Sequence, residues 1–219
     1  MRITLSVNCI IYLSFTLFVL VAEAAELSIT VVDTQGQQLE DTVVELIPIK
    51  EGRHELNKLM PPTSQYEMRQ KNRIFSPFVL AVPQGAKVHF PNLDRTRHHV
   101  YSFSPAKEFE LKLYIGVTES PIEFDKAGLV AIGCNIHDYM QAYIYVSSSP
   151  VFSVSNEVGQ IQFSDLVIGE YQLKVWHPWL RTPSVDRMLV VNQGDNQLTI
   201  NVDVERQQKP TSPPSGFGA

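Results

Sequence analysis

Residues Gly128 to Val146 read GLVAIGCNIHDYMQAYIYV. The stretch opens with Leu129, Val130 and Ile132 and closes with the apolar and aromatic run Ala142 to Val146. Both ends read as strands, because β-branched and aromatic side chains suit a pleated, half-buried surface. Between them, Cys134, His137 and Met140 follow a Cys-x-x-His-x-x-Met spacing. One short connection thus presents a thiol, an imidazole and a thioether together. A strand-end cysteine or a methionine in isolation is most simply a core residue. The three at this spacing form a donor set.

Soft sulfur donors combined with imidazole favour copper over magnesium, calcium or manganese. A trigonal set of one thiolate and two imidazoles with a weak axial thioether lacks only a second histidine. The β-rich segment His98-His99-Val100 offers two, and strand alternation sends them to opposite faces. His89 reads as a structural histidine in a strand; His54 falls in a polar linker and His177 near the C-terminal strands.

Working outward, almost nothing reads as helix. Tyr66 to Ile74, Phe78 to Val82, Lys87 to Phe90, His98 to Phe103, Ile122 to Phe124, Leu129 to Ile132 and Ala142 to Val146 are strand candidates. Short strands at this spacing, separated by turns such as Pro83-Gln-Gly85, predict an all-β sandwich or barrel. Leu27 to Val32 and Thr42 to Ile47 precede a polar stretch from Lys50 to Gln65. Strands from Val151 to Val154, Gln160 to Phe163, Tyr171 to Trp176, Met188 to Val191 and Leu198 to Val204 follow the Ser147-Ser-Ser-Pro150 break. The two ends share a texture that the middle lacks. They predict one small sandwich, residues 25–50 with 148–206, into which a domain at 51–147 (core 66–146) is inserted. A serial arrangement with an N-terminal extension is the alternative. Residues 207–219 are rich in Pro, Ser and Gly and are expected to be disordered.

The central segment, residues 66–146, resembles the plastocyanin, pseudoazurin and amicyanin group of cupredoxins. The residues that carry the resemblance are Gly128 before Cys134, the Cys-x-x-His-x-x-Met loop in its short, amicyanin-like form, Phe75-Ser-Pro77, Val82 to Asn92, and His98-x-Val100. Arg97 to Ser104 and the Gly-Cys-Asn-Ile-His-Asp string also resemble bacterial proteins labelled for methylamine utilisation. The resemblance implies a Greek-key cupredoxin sandwich holding one type 1 copper ion through His98, Cys134, His137 and Met140. It selects His98 over His99 as the first ligand. His99 stands where the family usually has an Asn that ties the ligand loops together, and is expected to orient the loop by hydrogen bonding. Asp138 follows the second ligand histidine, where relatives show an apolar docking surface, and Ala142 replaces a usual Gly. The flanking strands, Leu27 to Gly36 and Gly159 to His177, resemble carboxypeptidase-regulatory or transthyretin-like modules, an immunoglobulin-like second sandwich.

A nearly full copper coordination sphere implies one-electron transfer rather than catalysis. Expected partners are exported redox proteins such as a c-type cytochrome or a periplasmic dehydrogenase; copper carriage, storage or sensing is the alternative. Six histidines without a His-x-His pair argue against a multicopper oxidase or nitrite reductase. A net charge of −5 argues against nucleic acid as a general partner. At the N-terminus, Arg2, the apolar run Val7 to Val21 and Ala22-Glu-Ala24 read as a signal peptide, residues 1–24, and predict a periplasmic protein. The run is short of the roughly 20 residues of a membrane span and lacks a basic flank, so no stable span is expected after cleavage. An uncleaved anchor is the alternative. Removing residues 1–24 takes Cys9 away and leaves Cys134 as a lone exported thiol, which calls for a task.

Overall fold

Strands in which buried and exposed side chains alternate with period two recur along the computed structural model, which describes residues 25–49, 65–116, 120–182 and 185–210. The N-terminal segment read as a signal peptide, most of the linker after Lys50, and residues 211–219 lie outside the described residues. No helix among the described residues is long and apolar enough to cross a membrane.

The architecture is all-β. β1 (Ala25–Asp33) and β2 (Val43–Pro48) come first. β3 (Tyr66–Glu67), β4 (Arg69–Lys71), β5 (Ile74–Ser76), β6 (Val79–Pro83) and β7 (Ala86–His89) follow. β8 (His98–Ser104), β9 (Lys107–Tyr114), β10 (Ile122–Phe124), β11 (Gly128–Gly133) and β12 (Gln141–Ser147) complete the middle. β13 (Val151–Val154), β14 (Gln160–Leu166), β15 (Gly169–Trp176), β16 (Val185–Val191) and β17 (Gly194–Val202) end the series.

The first two strands pair with strands from the last third of the chain. β1 lies between antiparallel β14 and parallel β17, and β2 lies between β13 and β15 in the sheet β13-β2-β15-β16. Leu27, Ile29 and Val31 alternate inward from β1 to meet Leu46, Ile161, Phe163, Leu173 and Ile200 in one buried cluster. Each such side chain contributes about 1.5–3 kcal/mol on leaving water.

The middle strands build a second core. The sheet β6-β12-β11-β8-β9 and the sheet β10-β7-β3 enclose Val88, Phe90, Val100, Phe124, Val130 and Ile144. On β11, Val130 and Ile132 are buried while Leu129 and Ala131 are exposed. Continuing that alternation by two residues carries Cys134 inward. β12 turns Ala142, Ile144 and Val146 to the same core. Its other face carries Tyr143 and Tyr145, whose rings lie 5.6 and 5.9 Å from Trp176 of β15. Trp179 packs against both clusters, so the two cores meet along an aromatic seam.

Three local features differ from the sequence expectations. The extended run from Tyr66 to Ile74 is broken into β3, β4 and β5, and Asn72 and Arg73, both at positive φ (56° and 60°), reverse the chain between β4 and β5. β9 is a strand that the sequence reading passed over. Its Glu108, Glu110 and Lys112 mark an edge strand with one face in solvent. The C-terminal segment, expected to be disordered from residue 207, is held as far as Lys209, which pairs with Glu40 (3.0 Å) and Asp41 and lies 5.6 Å from the Phe78 ring centre. Arg206 is fixed just before it by Asp33, at 2.7 Å.

Candidate metal centre

β11 ends at Gly133 and hands Cys134 to a tight turn. The Met140 N–H donates to the His137 carbonyl (2.9 Å), and the Cys134 N–H donates to the Met140 carbonyl (3.1 Å). These two bonds fold the loop back on itself and return Met140 to the buried cluster that holds Cys134. Cys134 and Met140 are 3% and 1% exposed. His98 arrives from the start of β8 and is fully buried, while His137, on the loop, is half-buried.

The donor atoms of His98, Cys134 and His137 lie within 4.8 Å of one another. Cys134 Sγ is 3.9 Å from His98 Nδ1 and 3.8 Å from His137 Nδ1. The two imidazole rings stand 5.1 Å apart at 58°. Nδ1 of each ring thus faces the one sulfur, and the three donor atoms converge. A soft thiolate with two imidazoles fits copper, and zinc is its main competitor for such donors. Met140 shares the buried cluster and the lining of one groove with Cys134.

The electrostatics favour a metal-binding thiolate. Burial pushes the Cys134 thiol up, but hydrogen bonds from His98 and from the backbone N–H groups of His99 and Ile136 outweigh it and bring the pKa below 9.0. Burial lowers the basicity of His98, yet its bonds to Cys134 and Asp94 reverse the sign and raise its pKa above 6.5. His137 moves the other way: burial, then the nearby charges of His98 and Arg73, lower it.

His99 does not orient the loop through its ring. A register shift between His98 and Val100 turns that ring towards β9, where its Nε2 meets Glu110 Oε1 at 2.8 Å. It is the backbone of His99 that reaches the sulfur. Asp138 is exposed and lines the groove beside Cys134 and Met140. His177 is buried among the C-terminal strands, and His54 lies outside the described residues.

The sequence reading missed Asp94, whose Oδ2 lies 2.9 Å from His98 Nε2. The available signal was a carboxylate four residues before His98. Tyr101 also borders the site: its ring packs 3.1 Å from the position a Cβ would take at Gly133, next to Cys134.

Fold and site together define an all-β chain in which one cysteine sulfur and two imidazoles converge at the end of one core. No family model and no curated protein matches it. Among solved structures it is similar to a purple cupredoxin from Nitrosopumilus maritimus, at 21% identity over 38% of this chain and 100% of that one, with a TM-score of 0.33. It is also similar to a copper-containing nitrite reductase from Thermus scotoductus, at 21% identity over 46% of this chain and 30% of that one, TM-score 0.37. A third is a mutant amicyanin in its Cu(I) form, at 18% identity over 48% of this chain and 98% of that one, TM-score 0.33.

Proposed function

We propose that this chain is an exported type 1 copper protein that carries single electrons, with one copper ion held by His98, Cys134, His137 and Met140. The observation that carries the reading is the convergence of two imidazole Nδ1 atoms, at 3.8 and 3.9 Å, on the buried Cys134 sulfur. Copper bound there supplies a one-electron couple. The protein's part is to fix the donors. His98 is immobilised in the core, hydrogen bonds from His98 and from the backbone N–H groups of His99 and Ile136 lower the Cys134 pKa, and the loop bonds hold His137 and Met140 in one turn.

Four protein donors leave little room for a substrate, which favours a carrier over an enzyme. His137 is the half-buried donor, and Ile136 beside it is 43% exposed. Electrons would enter or leave at this edge, towards an exported redox protein such as a c-type cytochrome or a periplasmic dehydrogenase. The N-terminal segment supports a periplasmic location. The pairing of β1 and β2 with late strands supports an inserted copper domain at residues 51–147, with the flanking sandwich as its mount.

Replacing Cys134 with Ala tests the ligand set. It is expected to abolish stoichiometric copper binding and any visible absorption. Unchanged copper content and absorption in Cys134→Ala would overturn the site.

A further inference from the structure

The first histidine of the site is gripped from behind. His98 has no exposed surface, and its Nε2 faces Asp94 Oδ2 at 2.9 Å. The carboxylate is itself held by a built receptor. Asn72 N–H donates to Oδ1 at 2.7 Å, and Arg73 N–H donates to Oδ2 at 2.8 Å. These two residues form the whole turn between β4 and β5, in register Lys71 with Ile74. Consecutive positive φ angles aim their N–H groups to one side, a geometry that collects anions. Arginine has no intrinsic preference for that region of backbone space. The turn suits one of its residues poorly, and both of its N–H groups donate to Asp94.

The loop that carries Asp94 is fixed as well. Its N–H donates to Asn92 Oδ1 at 2.9 Å, and Asn92 Nδ2 donates to the carbonyls of Thr96 and Tyr114. Leu93 N–H donates to the Gln70 carbonyl, which joins the loop to the hairpin that supplies the receptor. The carboxylate therefore sits at a set position, 14% exposed, on the side of His98 away from Cys134.

We propose that Asp94, held by the Asn72–Arg73 turn, is a positioning residue that fixes His98 with its proton on Nε2 and its lone pair on Nδ1, and that its charge favours the oxidised copper ion. The inference rests on His98 as a copper ligand. A carboxylate can only accept from the ring, so the ring must donate through Nε2. Nδ1 is then left as the donor to the metal. A negative charge behind a ligand strengthens that ligand, and it stabilises the doubly charged ion more than the singly charged one. Reduction of the site adds one electron to copper and moves no proton at Asp94.

The test uses the full chain loaded with Cu(II) and titrated with ascorbate as electron donor. Asp94→Asn keeps the size and an acceptor but removes the charge, and it is expected to raise the reduction potential while the visible band persists. Asp94→Glu restores the charge and is expected to return the potential towards that of the unsubstituted protein. An unchanged potential in Asp94→Asn overturns the proposal. Should Asp94→Asn fail to fold, the unsubstituted protein decides. In its Cu(I) form, long-range 1H–15N spectra are expected to place the His98 proton on Nε2, and a proton on Nδ1 overturns the proposal. If the unsubstituted protein has no thiolate-to-copper band, the copper reading itself falls and this inference falls with it. A band with an unchanged potential removes the inference alone.

Discussion

Tyr145 on β12 donates its phenolic O–H to Glu45 Oε2 on β2 at 2.7 Å, joining a strand of one core to a strand of the other. The second oxygen of Glu45 receives the Ser147 hydroxyl, the Ser148 N–H and hydroxyl and the Ser149 N–H, at 2.7 to 2.9 Å. The carboxylate is 2% exposed. Burial pushes its pKa up, but the bonds from Tyr145, Ser148, Ser147 and Ser149 more than reverse this, and it stays ionised below the usual range.

Glu45→Ala strands several donors at the seam. Each buried donor left without a partner costs about 1–3 kcal/mol, and waters entering the gap recover part of that. A net loss of about 3 kcal/mol is expected, read as a fall in Tm of roughly 6–12 °C for a chain of this size. A loss below about 1 kcal/mol would mean that the two cores do not depend on this contact.

His177 makes the fold sensitive to mild acid. Its Nδ1 accepts the Trp179 N–H at 3.1 Å, and the ring stacks edge-on to Trp179 at 5.2 Å. Burial lowers its pKa to about 4, with the positive charges of Arg206 and Lys209 adding to the effect and a bond to the Glu40 backbone opposing it. The unfolded chain takes up this proton near pH 6.5, whereas the folded chain resists until about pH 4. The stabilisation is complete above pH 6.5 and is lost as pH falls towards 4, by about 3 kcal/mol in all. Urea unfolding of the metal-free protein between pH 7 and 4.5 is expected to show this slope, and His177→Gln to lack it. Equal slopes would remove His177 as the cause.

At Gly133 the crowding comes from a neighbour rather than from its own backbone, which has no positive φ. A Cβ there would lie 3.1 Å from the Tyr101 ring. Gly133→Val is expected to push Tyr101 aside and shift Cys134 with it, at a cost of about 1–3 kcal/mol from overpacking. The visible band of the copper-loaded protein should move or weaken. Full stability with an unaltered band would show that the ring has room to retreat.

Much of this molecule is legible in the sequence where the contacts are local. Cys134, His137 and Met140 share one turn, so their spacing alone predicts their nearness. The alternation in β1 and β11 is the direct imprint of a one-sided core. Asp94 was legible only as a carboxylate four residues before His98; its grip on that ring depends on a hairpin turn 21 and 22 residues upstream and on where β8 places His98. The orientation of His99 was hidden for a related reason: a register shift, invisible to strict alternation, delivers its ring to Glu110. β9 had a readable period-two pattern, but its charged, solvent-facing half masked the apolar one.

The visible absorption spectrum of the protein with one equivalent of Cu(II) tests the central claim most directly. An intense thiolate-to-copper band that bleaches with ascorbate and returns on reoxidation is the predicted result. Copper bound without such a band, or held only as Cu(I), would contradict an electron carrier and favour copper handling, and no binding at all would contradict the metal centre itself.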